Sequence, residues 1–93
     1  PERLGLGICA FVFITPQPRQ PGSQLVERLR ALPEIEELHS VAGTHSYMEK
    51  IRVPDAAALN ELLDRLFMLE GVERTETTMV LHTDVDRPLH LPF

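Results

Sequence analysis

Residues Leu6–Thr15 read LGICAFVFIT, an almost unbroken apolar stretch of strand length that stops at Pro16. Branched and aromatic side chains dominate it. The residues that follow, PQPRQPG at 16–22, carry three prolines and a glycine and predict a loop. The stretch therefore predicts a strand whose apolarity hardly alternates, which means cover on both faces. In a chain of 93 residues that requirement is severe. The length allows one domain with one core.

The rest of the chain supplies the cover. Ser23 is placed to cap a helix running to Leu32, with Leu25, Val26, Leu29 and Leu32 at helical spacing and Pro33 as its stop. Ile35–Ala42 predicts a second strand, although Glu36 and Glu37 are weak β-formers. Gly43 and Thr44 predict a turn, and HSYMEKIRV at 45–53 alternates as a third strand closing a hairpin. Pro54 ends it, and Asp55 caps a second helix, Ala56–Leu69. Leu59, Leu62, Leu63, Leu66 and Phe67 form that helix's apolar stripe. Gly71 suits the left-handed residue that ends a helix. Val72–His82 predicts a fourth strand, while the tail from 83 to 93 holds too many prolines to extend a sheet.

The order is β-α-β-β-α-β, and an internal repeat supports it. At a constant offset of 37, Arg28 matches Arg65, Leu29 matches Leu66, Leu32 matches Leu69 and Glu36 matches Glu73. Two helix-then-strand halves predict an α+β, ferredoxin-like fold, with two helices on one face of a four-stranded antiparallel sheet. The other face is then open. Leu6, Ile8, Ala10, Val12 and Ile14 alternate with Cys9, Phe11 and Phe13, and Met79 and Leu81 with Val80, so both faces of the sheet carry apolar residues. That pattern predicts a partner surface, with Ile8, Ala10, Val12 and Ile14 assigned to a face-to-face homodimer.

Several function classes are excluded or disfavoured. Nine basic residues stand against 14 acidic ones, a net charge of −5, which does not suit a surface for nucleic-acid phosphates. A single cysteine, Cys9, permits no intrachain disulfide framework and no cysteine-based zinc site, and it predicts a reducing, cytoplasmic setting. No apolar run reaches the roughly 18–20 residues of a membrane span. His39, His45, His82 and His90 do not fall at metal-binding helical spacing. Gly5 and Gly7 make only G-x-G, and no motif requires a cofactor or a metal.

Two polar groupings remain. One is the turn Gly43, Thr44, His45, Ser46 and Tyr47; the other is Thr75, Glu76, Thr77 and Thr78. A glycine turn with hydroxyls beside it can orient a small zwitterion, which needs donors for its carboxylate and acceptors for its ammonium. The plainer reading is that Gly43 turns the hairpin and the threonines favour strands.

LGLGICAFVFI at 4–14, the G-x-x-x-Y turn at 43–47 leading into MEKIRV, and LEGVERTETTMVL at 69–81 resemble the ligand-binding (RAM) domain of the Lrp/AsnC, or feast/famine, transcription regulators. The most specific residues are Gly71, Val72, Arg74, Thr75 and Thr77. The resemblance implies a ferredoxin-like fold, dimers joined through their sheets, and assembly into tetramers or octamers. It also implies amino acids or related small molecules as effectors, bound near subunit interfaces. The ligand-binding candidates are then Gly43, Thr44, His45, Ser46, Tyr47, Thr75, Thr77 and Thr78. The family turn is usually G-x-Y-D-Y. Here His45 stands for the first tyrosine and Ser46 for the aspartate, which leaves open a different effector, a weaker one or none.

Members of that family carry an N-terminal helix-turn-helix domain, which would read DNA and is absent from this chain. PERLGLG resembles the end of the linker that follows it, with residues 1–5 as linker and 83–93 as a tail around a single domain, 1–93. Two further readings share the fold: a stand-alone assembly module, and a small dimeric α+β-barrel enzyme with a pocket between sheet and helices.

Overall fold

A computed structural model describes residues 7–19 and 21–88. The linker end expected at 1–5, Leu6, and His90 lie outside the described residues. The elements follow the expected order: β1 (Ile8–Pro16), α1 (Gly22–Arg30), β2 (Ile35–Ser40), β3 (Tyr47–Val53), α2 (Ala56–Met68) and β4 (Val72–Met79). The sheet order is β2-β3-β1-β4, all antiparallel. No described helix is long and apolar enough to cross a membrane.

The strand registers set out the molecule row by row. Ser40, Tyr47, Ile14 and Thr75 lie side by side, then His39, Met48, Phe13 and Glu76, then Leu38, Glu49, Val12 and Thr77. Successive rows point to opposite faces. Ala10, Val12, Ile14 and Ile51 have no exposed surface and pack with Leu25 and Leu29 of α1 and Leu62 and Leu66 of α2. Cys9, Phe11 and Phe13 lie on the opposite face, Phe11 and Phe13 less deeply enclosed than the core row and Cys9 half-buried.

This corrects the assignment of a partner surface. Ala10, Val12 and Ile14 belong to the core, and Ile8 packs against it, so none of the four is a face for a second subunit. Both parities of β1 are apolar, so hydropathy alone does not choose between them. The helices choose: they deliver leucines, and small or β-branched strand residues complete that layer. The bulkier phenylalanines take the open side.

Local differences have local causes. Pro16 ends β1 from inside, pairing with Val72 after a register shift. Helix α1 starts at Gly22 because the Pro21 carbonyl accepts its first bond, from the Leu25 amide, so Ser23 sits within the first turn and caps nothing. It ends at Arg30, before Leu32, since Pro33 disfavours the helical conformation for the residue ahead of it. Asp55 caps α2 as expected, accepting from the Ala58 amide at 2.8 Å. Phe67 is 61% exposed and leaves the apolar stripe, which narrows to Leu59, Leu62 and Leu66 with Leu63 beside them. The turn into β4 rests on Gly71, at φ 99°, whose carbonyl accepts from the Gln17 amide. Strand β4 stops at Met79, and Leu81 is solvent-exposed. Glu36 and Glu37 are tolerated in β2 because Arg52 and Lys50 of β3 face them, with Arg52 Nε 2.8 Å from Glu36.

One residue contradicts the core pattern. Glu49 lies in the helix-facing row between Val12 and Leu38, has no exposed surface, and neither carboxyl oxygen has a partner. Burial without a counter-charge raises its pKa from 4.5 to about 7. The folded chain thus holds a proton that the unfolded chain has already released. Its contribution to stability is fully present below about pH 4.5 and is lost as pH rises through about 7. The loss is roughly 3 kcal/mol. Urea midpoints of the wild type should fall across this window, whereas those of Glu49→Leu should be higher at pH 8 and show no such fall. A wild-type profile parallel to that of the leucine variant would refute the assignment.

Candidate functional site

The expected turn is a six-residue loop, 41–46, joining β2 and β3. His45 and Ser46, expected in the third strand, belong to it. The Val41 amide donates to the Ser46 carbonyl at 2.9 Å and closes the loop. The Ser46 amide donates to the Ile14 carbonyl at 3.3 Å and docks the loop on β1. Gly43 has φ 152°, a backbone conformation that residues with a Cβ rarely adopt, although no atom lies within 4 Å of where a Cβ would sit.

His45 leaves the strand because its ring is held on both sides. Its Nδ1 is 2.9 Å from the Thr15 hydroxyl of β1, and its Nε2 is 2.9 Å from Oε1 of Glu76 on β4. The ring packs against that of Phe13 at a tilt of 37°, with centroids 5.6 Å apart. A carboxylate oxygen accepts, so Nε2 carries a proton and donates it to Glu76. When the ring is neutral, Nδ1 accepts from the Thr15 hydroxyl.

The candidates divide between the two faces. Tyr47 and Thr75 flank Ile14 on the helix side, and Thr77 follows beside Val12. The Tyr47 hydroxyl reaches the start of α1, where a Cβ on Gly22 would lie 2.7 Å from it. Thr78 pairs with Phe11 and points to the open face, as do Glu76 and His45. Thr44 and Ser46 are exposed on the loop. The structure therefore gathers the loop, Tyr47 and Thr75 around the Ile14 end of β1. It does not bring all eight residues into one cavity. Thr15, Phe13 and Glu76 are the partners that residue type alone did not single out; in the sequence, only the place of Glu76 between two threonines marked it.

A separate groove of about 260 Å³ runs between α1 and the outer edge of β2, lined by Val26, Arg30, Ile35, Glu36, Glu37, Leu38 and Ser40. It shares none of the candidate residues. Among the described residues, no cluster of three or more histidine, cysteine or acidic side chains could hold a metal ion.

The chain is similar to one domain of known transcriptional regulators. Residues 9–89 match the Lrp/AsnC ligand binding domain. The HTH-type transcriptional regulator LrpA of Mycobacterium tuberculosis is 41% identical over 93 residues, which are 99% of this chain and 61% of that protein. The feast or famine regulatory protein of M. tuberculosis, solved in complex with L-methionine, is 38% identical with a TM-score of 0.82, covering 99% of this chain and 65% of that one. A solved chain from Thermus thermophilus is 32% identical with a TM-score of 0.77, covering 85% of this chain and 99% of its own. The chain spans roughly half to three-fifths of the length of the curated relatives it matches.

The backbone of the loop can be tested without a ligand. Gly43→Ala should lower stability by about 1–3 kcal/mol, because the cost is conformational and no clash is relieved by repacking. Urea unfolding should show a lower midpoint with an unchanged slope; an unaltered midpoint would mean that Gly43 is dispensable to the turn.

Proposed function

The chain belongs to the Lrp/AsnC ligand-binding domain family, and on that premise we propose that it is the effector-binding and oligomerisation part of a transcriptional regulator. The observation that carries this reading is the convergence of the 41–46 loop, Tyr47 and Thr75 on one end of the central strand, where the loop presents Gly43, Thr44 and Ser46 to solvent. The ligand is an amino acid or a related small molecule. Support comes from the M. tuberculosis relative that was solved with L-methionine. Ser46 offers a hydroxyl where the family turn usually has an aspartate, so the ammonium of the effector has a weaker acceptor at that position.

The oligomer forms through the open sheet face, with Cys9, Phe11 and Phe13 at its centre in place of the core residues of the opposite parity. A dimer that buries this face, and dimers joined into tetramers or octamers, would place ligand loops near subunit boundaries. Ligand binding then favours one assembly state, and that state repositions DNA-binding domains. Those domains are an upstream helix-turn-helix in the full regulator, to which residues 1–5 act as linker. A stand-alone assembly module is the second reading, favoured by the T. thermophilus chain that matches over 99% of its own length. A helix-turn-helix encoded ahead of Pro1 would decide between them.

Two measurements test the reading. In thermal-shift screening of the common amino acids, at least one, with L-methionine the first choice, should raise the melting temperature in a dose-dependent way. A flat panel would remove the effector while leaving the oligomer. In sedimentation, the wild type should exceed the monomer mass, and Phe11→Asp should shift it to monomer. A monomeric wild type would remove the oligomer.

A further inference from the structure

His45 stands apart from the other loop residues. Gly43, Thr44 and Ser46 are exposed, but His45 has only 15% of its side chain in solvent. Its ring ties the loop to two neighbouring strands, through Thr15 and Phe13 of β1 and Glu76 of β4. Phe13 and Glu76 are cross-strand partners, so two of the three contacts lie in one row of the open face. Otherwise the loop is tied down by the two backbone bonds through Ser46.

We propose that His45 is the positioning residue of the ligand loop, clasping it to the open sheet face so that occupation of the loop is transmitted to Phe13 and β4. The proposal rests on the effector reading above and goes beyond it by naming the link between the loop and the sheet. The ring is suited to this. Its two nitrogens offer one acceptor and one donor on opposite sides, which match a hydroxyl and a carboxylate, and its ring packs at a tilt against an aromatic neighbour. A tyrosine, usual at this position in the family turn, has one polar atom and cannot bridge both strands. A loop carried on such a clasp moves with the sheet, and a partner seated on Phe13 presses on the same ring.

The test begins with the wild-type chain and no ligand. In mildly alkaline buffer, nitrogen-15 NMR should show His45 as the Nε2–H tautomer. Hydrogen exchange of the Val41 and Ser46 amides, which close and dock the loop, should then quicken about tenfold in His45→Phe, which keeps an aromatic ring beside Phe13 and loses both side-chain hydrogen bonds. His45→Gln, whose amide carries one acceptor and one donor, should recover part of the protection. Glu76→Ala added to His45→Phe should cause no further loss. An Nδ1–H tautomer, or equal exchange in wild type and His45→Phe, overturns the clasp.

The link to the ligand is read with L-methionine. If the wild type binds it, Phe13 and Thr78 resonances should shift, and His45→Phe should bind about tenfold more weakly. Equal binding, or shifts confined to the loop, overturns the transmission. If neither L-methionine nor any other amino acid moves the wild type, the effector reading fails, transmission from the loop falls with it, and the clasp is decided by tautomer and exchange alone.

Discussion

Every other element takes its place from the way β1 divides its side chains. The strand is hydrogen-bonded along both edges, to β3 and to β4. Its residues therefore cannot slip by one position without inverting the whole sheet. Ala10, Val12 and Ile14 go to the helices and are fully enclosed there. Cys9, Phe11 and Phe13 go to the other side. The leucines at 25, 29, 62 and 66 then have a single place to pack, and both helices lie on one face. The loop follows from the same strand, because Ile14 pairs with Tyr47 on one side and Thr75 on the other and takes the Ser46 amide on its carbonyl.

The order of elements was legible because it depends on local signals. The periodic leucines, the Asp55 cap, Gly71 and the proline-rich loop each act within a few residues. The fold and the family followed from that order and from the motif residues around 71–77. The parity of β1 was not legible. An apolar residue at every position gives no preference for a face, and only the helices break the tie. The helix start at Gly22 was also hidden, because Ser23 is the better cap by residue type and the Pro21 carbonyl decided otherwise. The division of the site follows the same logic. Thr75, Thr77 and Thr78 look alike in sequence, yet the two-residue period puts the first two under the helices and the third on the open face. Glu49 could have been found, since it shares parity with Tyr47, Ile51 and Val53, all of which pack with the core.

His45 and Glu49 are two polar departures on or beside one hairpin, and they resolve in opposite ways. His45 has a partner for each nitrogen, so its partial burial removes no hydrogen bond. Glu49 has none, so its burial is compensated only by keeping its proton. The first fixes a loop at modest cost. The second draws on the stability of a small domain, for which roughly 3 kcal/mol is a large share of a typical total.

That share bears on why an open apolar face is useful to this chain. At about 25 cal/mol per Å², covering about 120 Å² of apolar surface would offset the cost of Glu49 above neutral pH. Association itself costs about 4 kcal/mol or more, so a partner would have to bury several hundred Å² to leave a net gain. Cys9, Phe11, Phe13 and Met48, adjacent on one face, offer the centre of such a surface. Glu49 points the other way, into the helix layer, and meets no partner there. Its titration therefore acts within the protomer and the partner acts across it. The two contributions should add without coupling. At pH 8, raising the protein concentration should then lift the stability of the wild type and of Glu49→Leu by the same amount, with the wild-type curve lying lower throughout. Converging curves would mean that the carboxyl is felt at the interface through the sheet, and that the two faces of β1 are not energetically independent.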